Sequence, residues 1–248
     1  MNLLTSTQHL LRLATAVFFM ALIQGCATGP NTNPADPLEP FNRTVFNLND
    51  GLDRAILKPV ATVYKEITPS PVRIGVNNFF NNLTDAWSVV NNALQLKPQE
   101  TLETGMRVVV NTVFGFAGVL DIATEMRLPR NRQDFGLTLG YWGVASGPYL
   151  VLPFFGPSSV RDTLGTVVDA NVDLVNNLKN VPTRNSLVVL RAVEKRAEFL
   201  DATGVLDQAA LDKYSFARDL YLQRRANTGS KEPAQKEERF DLPAPAAK

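Results

Sequence analysis

The sequence predicts an all-α protein with one short irregular or hairpin segment around residues 140–157. Three observations support this fold class. Apolar residues recur every three or four positions along most of the chain, which is the period of an α-helix. Prolines divide this pattern into separate helices, because proline disrupts a helix interior. Only the stretch from Gly140 to Asp162 loses the period, since four glycines and three prolines fall within it.

Residues 1–25 have the composition of a lipoprotein signal peptide. A weakly basic start leads into an uncharged apolar run, Leu13 to Ile23, which is too short to span a bilayer. The run ends in Ile-Gln-Gly-Cys, so Cys26 is the predicted lipid-attachment residue. Apart from this covalent lipid, no cofactor is expected. The alternative is a plain secretory signal with an incidental cysteine.

The residue after the cysteine bears on localisation. Residue 27 is alanine. In lipoproteins of the enteric type an aspartate there favours the inner membrane, so its absence points to the outer membrane. Residues 26–40 are rich in Thr, Asn, Gly and Pro and are predicted to tether the lipid to the fold.

The helical domain is predicted to cover residues 41–225. Its first helix has apolar residues at 41, 45, 48, 52 and 56. Pro59 then restarts the pattern as the first turn of a second helix, which Pro69 and Pro71 end.

The most regular periodicity lies between residues 73 and 96. One stripe is apolar, and the opposite face is rich in asparagine. The stripe consists of Val76, Phe79, Phe80, Leu83, Trp87, Val90 and Leu94, and the asparagines are Asn77, Asn78, Asn81, Asn82 and Asn92. Without further context, such a stripe more often faces a protein core than a membrane.

Further helices are predicted after Lys97, over 119–126, after Asp162, from Pro182 to a glycine cap at Gly204, and over 207–225. Residues 226–248 contain Gly, Pro, Ala and mixed charge with few apolar side chains. Such a segment cannot bury enough apolar surface to offset chain entropy, so a disordered tail is predicted.

Within the central segment, Tyr149 to Leu152 favours a short strand that Pro153 ends. Ser158 or Ser159 is expected to cap the next helix, with Arg161 and Asp162 in its first turn. The segment is either a buried loop that fills a core or a wall that faces an apolar ligand. Likewise, Arg161 and Asp162 form either a salt-bridged helix start or a contact for a phosphate head group.

Composition excludes the common enzyme designs. His9 is the only histidine, and cleavage before Cys26 would remove it. Histidine-dependent triads and zinc sites are then impossible in the mature chain. The sequence also lacks a phosphate-binding glycine loop and a dinucleotide fingerprint. The mature charge is about neutral, which argues against a nucleic-acid partner. We therefore expect neither an enzyme nor a metal site.

Two stretches resemble a known family. The chain reads Asp36-Pro-Leu-Glu-Pro-Phe-Asn-Arg near the mature start and Leu139-Gly-Tyr-Trp-Gly-Val-Ala-Ser-Gly-Pro-Tyr-Leu-Val-Leu-Pro-Phe-Phe-Gly-Pro-Ser-Ser-Val-Arg-Asp in the central segment. Both resemble the MlaA (VacJ) family of outer-membrane lipoproteins, over roughly residues 36 to 225. The lipoprotein cysteine agrees with this independently.

The resemblance implies a ring-like arrangement of amphipathic helices in the periplasmic leaflet of the outer membrane. It implies an amphipathic channel that takes mislocalised phospholipid from the outer leaflet and passes it to a soluble periplasmic carrier, MlaC, which maintains lipid asymmetry. It also implies association with a trimeric porin. By motif position, the channel wall is predicted to include Tyr141, Tyr149, Phe154, Phe155 and Arg161.

Two alternative functions make different demands on the chain. A structural lipoprotein could tether porins or periplasmic partners without conducting lipid, and it would have a packed core and no channel. A lipase is disfavoured because the mature chain would have no histidine to activate a serine such as Ser146.

Overall fold

The computed structural model describes residues 34, 36–209 and 211–229. The predicted signal peptide, Cys26 and the tail beyond residue 229 lie outside the described residues. Within them the chain is mostly helical with one small hairpin, which confirms the predicted fold class. The elements are α1 (Glu39–Leu52), a π-helical turn (Asp53–Leu57), α2 (Lys58–Ile67), α3 (Ser70–Leu94), α4 (Pro98–Val113), α5 (Ile122–Glu125), α6 (Phe135–Tyr141), β1 (Tyr149–Leu152), β2 (Gly156–Ser159), α7 (Val160–Val172), α8 (Val181–Glu198), α9 (Leu200–Ala209) and α10 (Lys213–Gly229).

Pro59 does not begin a separate helix, which corrects the prediction. The π-helical turn Asp53–Leu57 joins α1 to α2 without a break, and the Lys58 N–H donates to the Asp53 carbonyl. A proline in a regular helix clashes with the carbonyl four residues earlier. The wider π-helical turn lies just before Pro59, so the chain continues as a helix through it.

The central segment forms a two-stranded antiparallel hairpin, in which Tyr149 pairs with Ser159 and Leu152 with Gly156. Phe154 and Gly156 have φ of 67° and 78°, so a short three-residue loop can reverse the chain. Ser159 caps α7 by accepting a hydrogen bond from the Asp162 N–H at 3.2 Å, as predicted. Gly140 and Tyr141 belong to α6, however, so the irregular stretch begins later than expected.

Helix α1 holds the free edge of this hairpin through two asparagines that are two turns apart. Asn42 Nδ2 donates to the Tyr149 carbonyl at 3.0 Å, and Asn42 Oδ1 accepts from the Val151 N–H at 2.9 Å. Asn49 does the same for the Leu152 carbonyl and the Phe154 N–H, both at 2.9 Å. Side-chain amides therefore replace a third strand.

The predicted tether ends earlier than residue 40. Asp36 is fully buried, and Asn42 Nδ2 donates to its carboxylate at 2.8 Å. The Tyr214 hydroxyl and the Arg218 guanidinium on α10 also donate to Asp36. The packed fold thus includes residues 36–40, because the first and last described segments are joined there.

Two predicted boundaries near the carboxyl end are wrong. Helix α8 ends at Glu198, and Gly204 lies inside α9 instead of capping α8. Helix α10 runs to Gly229, so residues 226–229 are helical and not part of a disordered tail. The longest helix, α3, packs most extensively against α4, which follows it.

Candidate functional site

The apolar stripes of the helices face outward. On α4 the stripe consists of Leu102, Met106, Val109 and Val113, and Leu102 is 70% exposed. The same helix buries Thr104, Arg107 and Asn111. In a protein surrounded by water the opposite orientation is the rule.

Other helices repeat this orientation. The outward apolar residues are Val60, Val63 and Ile67 on α2, Val72, Ile74, Val90 and Leu94 on α3, and Val160, Leu164 and Val167 on α7. Rows of exposed apolar side chains on several helices indicate a surface that interacts with a protein or a membrane.

The interior is correspondingly polar. Among the described residues, buried polar and charged side chains outnumber buried apolar ones. The buried polar residues on or next to α3 are Asn82, Asp85, Ser88, Asn91, Asn92 and Gln95. Of the predicted apolar stripe on this helix only Phe80 is buried. The face that was assigned to the core is therefore partly exposed, and part of the asparagine-rich face is inside.

A cluster of charges occupies the interior between α3 and α4. Arg107 contacts Asp121 at 2.9 Å and Asp85 at 3.9 Å, and Arg130 contacts the same two carboxylates at 3.3 and 3.0 Å. Burial raises the pKa of Asp85, although the charges of Arg130, Arg132 and Arg107 oppose this effect. Removing one partner of such a group leaves an uncompensated buried charge, which costs about 3–5 kcal/mol.

A line of polar side chains leads from this cluster along α3, and we call it the polar track. It consists of Asp85, Arg132, Asn81, Asn77 and Glu194. Arg132 lies 3.9 Å from Asp85 and donates to Asn81, which in turn donates to Asn77. Asn77 Nδ2 donates to Glu194 Oε1 at 2.9 Å. Positions 77, 81 and 85 are four residues apart, so they share one face of the helix.

A cavity of about 320 Å³ opens where the polar track reaches α8. Its lining residues are Tyr64, Ser70, Arg73, Ile74, Asn77, Asn78, Glu194, Ala197 and Glu198. Tyr64 Oη and Arg73 Nε are buried there and have no hydrogen-bond partner among the described residues. Buried donors are normally paired, so this cavity has room for an acceptor that the protein itself does not supply.

One of the five predicted channel residues lies in the core. Tyr149 is fully buried in an apolar cluster with Val45, Val151 and Tyr214, so it supports the core and does not line an opening. This corrects its assignment: the pleat of β1 points every second side chain towards α1 and α10.

Phe154 and Phe155 project from the tip of the hairpin, and Phe154 is 81% exposed. The Tyr141 ring contacts the Trp142 ring, and Lys97 Nζ lies 5.4 Å from the centre of the Tyr141 ring. Arg161 Nε donates to Asp162 at 2.9 Å, so this pair is the salt-bridged helix start that was one of the two alternatives. The role of Tyr141, Phe154, Phe155 and Arg161 in a channel wall stays a prediction.

Asp162 is the centre of a second buried network. It accepts hydrogen bonds from Arg161 and the Tyr221 hydroxyl, and Arg225 Nε lies 3.0 Å from it. Burial favours the neutral carboxyl, but these hydrogen bonds and the charge of Arg225 together lower its pKa. Arg225 also contacts Asp134 at 2.6 Å, so α10 connects α6 to α7.

Sequence reasoning missed the residues of the polar track other than its asparagines. An uncharged polar face opposite an apolar stripe was visible in the sequence. Asp85 lies on the same face of α3, but the other two charged members, Arg132 and Glu194, lie on other segments, and nothing in the local pattern placed them beside α3. Across the described ranges, none of the helices combines the length and hydropathy needed to cross a bilayer.

Comparison with known proteins gives a consistent result. The model of the family described as MlaA lipoprotein matches residues 34–228. The chain is 37% identical over 232 residues to the intermembrane phospholipid transport system lipoprotein MlaA of Shigella flexneri, covering 90% of this chain and 92% of the relative. It is 34% identical to the protein of that description from Haemophilus influenzae, covering 87% of this chain and 90% of the relative.

A solved structure agrees. It is described as the structural basis for maintenance of bacterial outer membrane lipid asymmetry, and it superposes with a TM-score of 0.68 at 36% sequence identity. The superposition covers 79% of this chain and 99% of that structure.

Proposed function

The chain belongs to the MlaA lipoprotein family, and from this premise we propose that it removes mislocalised phospholipid from the outer leaflet of the bacterial outer membrane. The lipid passes along the polar interior to the periplasmic side, and lipid asymmetry is maintained. The supporting observation is that the usual distribution of side chains is inverted: apolar stripes face outward, and polar and charged side chains are buried.

This distribution suits a protein that lies among acyl chains. Each exposed apolar stripe would be removed from water there, at about 25 cal/mol for every Å² covered. The polar track offers hydrogen-bond partners to a head group, which could not otherwise cross an apolar layer at low cost. The fold then lies within one leaflet as a ring of amphipathic helices, with Cys26 as its lipid anchor.

We extend the proposal to two protein partners, a trimeric porin and a periplasmic MlaC-like carrier. The support for both partners is the resemblance of the two sequence motifs to the MlaA family. The competing function is a lipoprotein that tethers these partners without conducting lipid. Since the charged interior is unusual for a purely structural domain, the conduit is the better explanation.

The test compares two tryptophan substitutions on the same helix. Asn81→Trp fills the polar track, whereas Val90→Trp adds the same side chain to the outward face. Outer-leaflet phospholipid is measured in cells that carry each variant, the wild type or a deletion, together with the amount of protein in the outer membrane. We expect Asn81→Trp to accumulate phospholipid as the deletion does, and Val90→Trp to behave as wild type. Normal asymmetry in Asn81→Trp at normal protein levels would favour the tether.

A further inference from the structure

We infer that the cavity between α2, α3 and α8 binds the head group of a zwitterionic phospholipid, with the phosphate near Tyr64 and Arg73 and the amine near Glu194 and Glu198. This inference rests on the proposed function and adds a head-group preference to it.

The phosphate end is indicated by two unused donors. Tyr64 Oη and Arg73 Nε are both buried without a partner among the described residues, and both atoms belong to residues that line the cavity. The remaining guanidinium of Arg73 is held by Ser70, whose Oγ accepts from Nη2 at 3.1 Å. A phosphate oxygen would accept from both free donors, and guanidinium–phosphate hydrogen bonds are among the stronger ones in proteins.

The amine end is indicated by two carboxylates on one face of α8. Glu194 is only 6% exposed, and the neutral amide of Asn77 donates a hydrogen bond to it at 2.9 Å. Burial raises the pKa of Glu194, and the charge of Glu198 four residues later adds to this effect. A cation in the cavity would compensate both. Glu198 also pairs with Lys195 at 2.8 Å, so Glu194 is the main ligand of the amine.

The charge balance decides between head groups. The lining contains one arginine and two glutamates, which makes it net negative. A phosphate without an amine would place its negative charge beside two carboxylates. Like charges that lie close together destabilise a complex. A head group that carries both charges matches the cavity, because each charge faces the opposite one.

The size and position of the cavity agree with a head group and not a whole lipid. A volume of about 320 Å³ lies at the small end of ligand pockets. Ile74 lines the cavity and is also exposed on the outward apolar face. Acyl chains can therefore lie on that face while the head group enters beside Asn77, near the Glu194 end of the polar track.

The experiment measures lipid selection by the purified full-length lipoprotein. Protein in detergent is offered equal amounts of phosphatidylethanolamine and phosphatidylglycerol with identical acyl chains, and bound lipid is counted by native mass spectrometry. We expect the wild type to prefer phosphatidylethanolamine by about tenfold, the effect of one charge-assisted hydrogen bond. Glu194→Gln should bring the ratio close to one. Arg73→Gln and Tyr64→Phe should weaken binding of both lipids. The exposed controls Glu66→Gln and Arg224→Gln should match the wild type.

Three results would overturn the inference. The first is an unchanged lipid ratio in Glu194→Gln. The second is equal binding of both lipids by the wild type, in which case phospholipid is carried without head-group selection and the proposed function stands. The third is that inorganic phosphate displaces bound lipid as effectively as free phosphoethanolamine does. The site would then recognise only an anion, and the carboxylates would have no role in binding. If the wild type bound no phospholipid at all, the proposed function would fail as well.

Discussion

The side chain of Asn42 on α1 takes the place of a neighbouring strand for Val151 on β1, because its Oδ1 accepts a hydrogen bond from the Val151 N–H at 2.9 Å. The same amide donates to the Tyr149 carbonyl and to the Asp36 carboxylate. One buried side chain therefore holds the amino-terminal segment and the edge of the hairpin in place.

Replacing Asn42 should destabilise the protein strongly. Asn42→Ala removes three hydrogen bonds and leaves a buried N–H, a carbonyl and a carboxylate each short of a partner. We expect a loss of about 2–4 kcal/mol in the free energy of unfolding, measured with denaturant in detergent. Asn47→Ala, at an exposed position of the same helix, should change it by less than about 0.5 kcal/mol. A similar small loss for both variants would contradict this role.

Two glycines should respond in opposite directions to alanine. Gly118 follows α4 with a φ of 91°, and a methyl group there would meet the Asn82 side chain at 2.6 Å. Gly118→Ala should therefore cost about 2 kcal/mol or more. Gly51 lies inside α1 with no atom near its methyl position, so Gly51→Ala should stabilise by about 0.5–1 kcal/mol. Thermal unfolding of the pair measures both signs, and a stabilised Gly118→Ala would show that the turn is not under this constraint.

Asp162 should make stability depend on acid pH. Its folded pKa lies below the ordinary value of 3.8, so it stabilises the fold at neutral pH, and this contribution is lost as pH falls from about 4. Asp162→Asn should lower stability at pH 7 and flatten the decline between about pH 5 and pH 2. The groups that face it are Arg161, Arg225 and Tyr221. Asp201→Asn, at an exposed ion pair, is the control and should keep the wild-type profile. Identical slopes in all three proteins would exclude the role of Asp162.

The outward stripe on α4 should govern membrane affinity but not folding. Leu102→Asn with Met106→Asn changes two exposed residues, and each loses about 2 kcal/mol of transfer free energy. In the unlipidated Cys26→Ala background, flotation with liposomes should fall at least about tenfold, while unfolding in detergent should change little. Gln99→Asn on an exposed position of the same helix should float as the parent does. Unchanged flotation of the double variant would mean that this stripe meets another partner.

Periodicity was enough to predict most helices, and local residue types predicted the strand Tyr149–Leu152 and a serine cap at position 158 or 159, because these depend on neighbours in sequence. It could not tell which face of α3 lies inside. A period of 3.6 residues divides a helix into two faces, but the surrounding medium decides which face is buried. The resemblance to a membrane family was the only signal in favour of the orientation that the structure has.

Tyr149 and Asp36 show a different limit. Tyr149 looked like part of a wall because its motif is aromatic, yet the pleat of β1 turns it towards Val45 and Tyr214. Asp36 looked like part of a tether because its surroundings are rich in proline. Its partner Tyr214 is 178 residues away, and no local pattern indicates a contact at that separation.

That separation has a consequence for the order of assembly. A chain emerging from its amino end exposes Asp36 long before Tyr214 and Arg218 exist to receive it. The carboxylate can be desolvated only after α10 has arrived, since contacts of such high sequence separation form at the largest entropic cost. Since Asn42 contacts both Asp36 and the edge of the hairpin, the hairpin edge becomes fixed when α10 packs. The protein is thus completed by its last helix, and in a chain truncated before Tyr214 the Asp36 carboxylate would stay in water and this junction would not form.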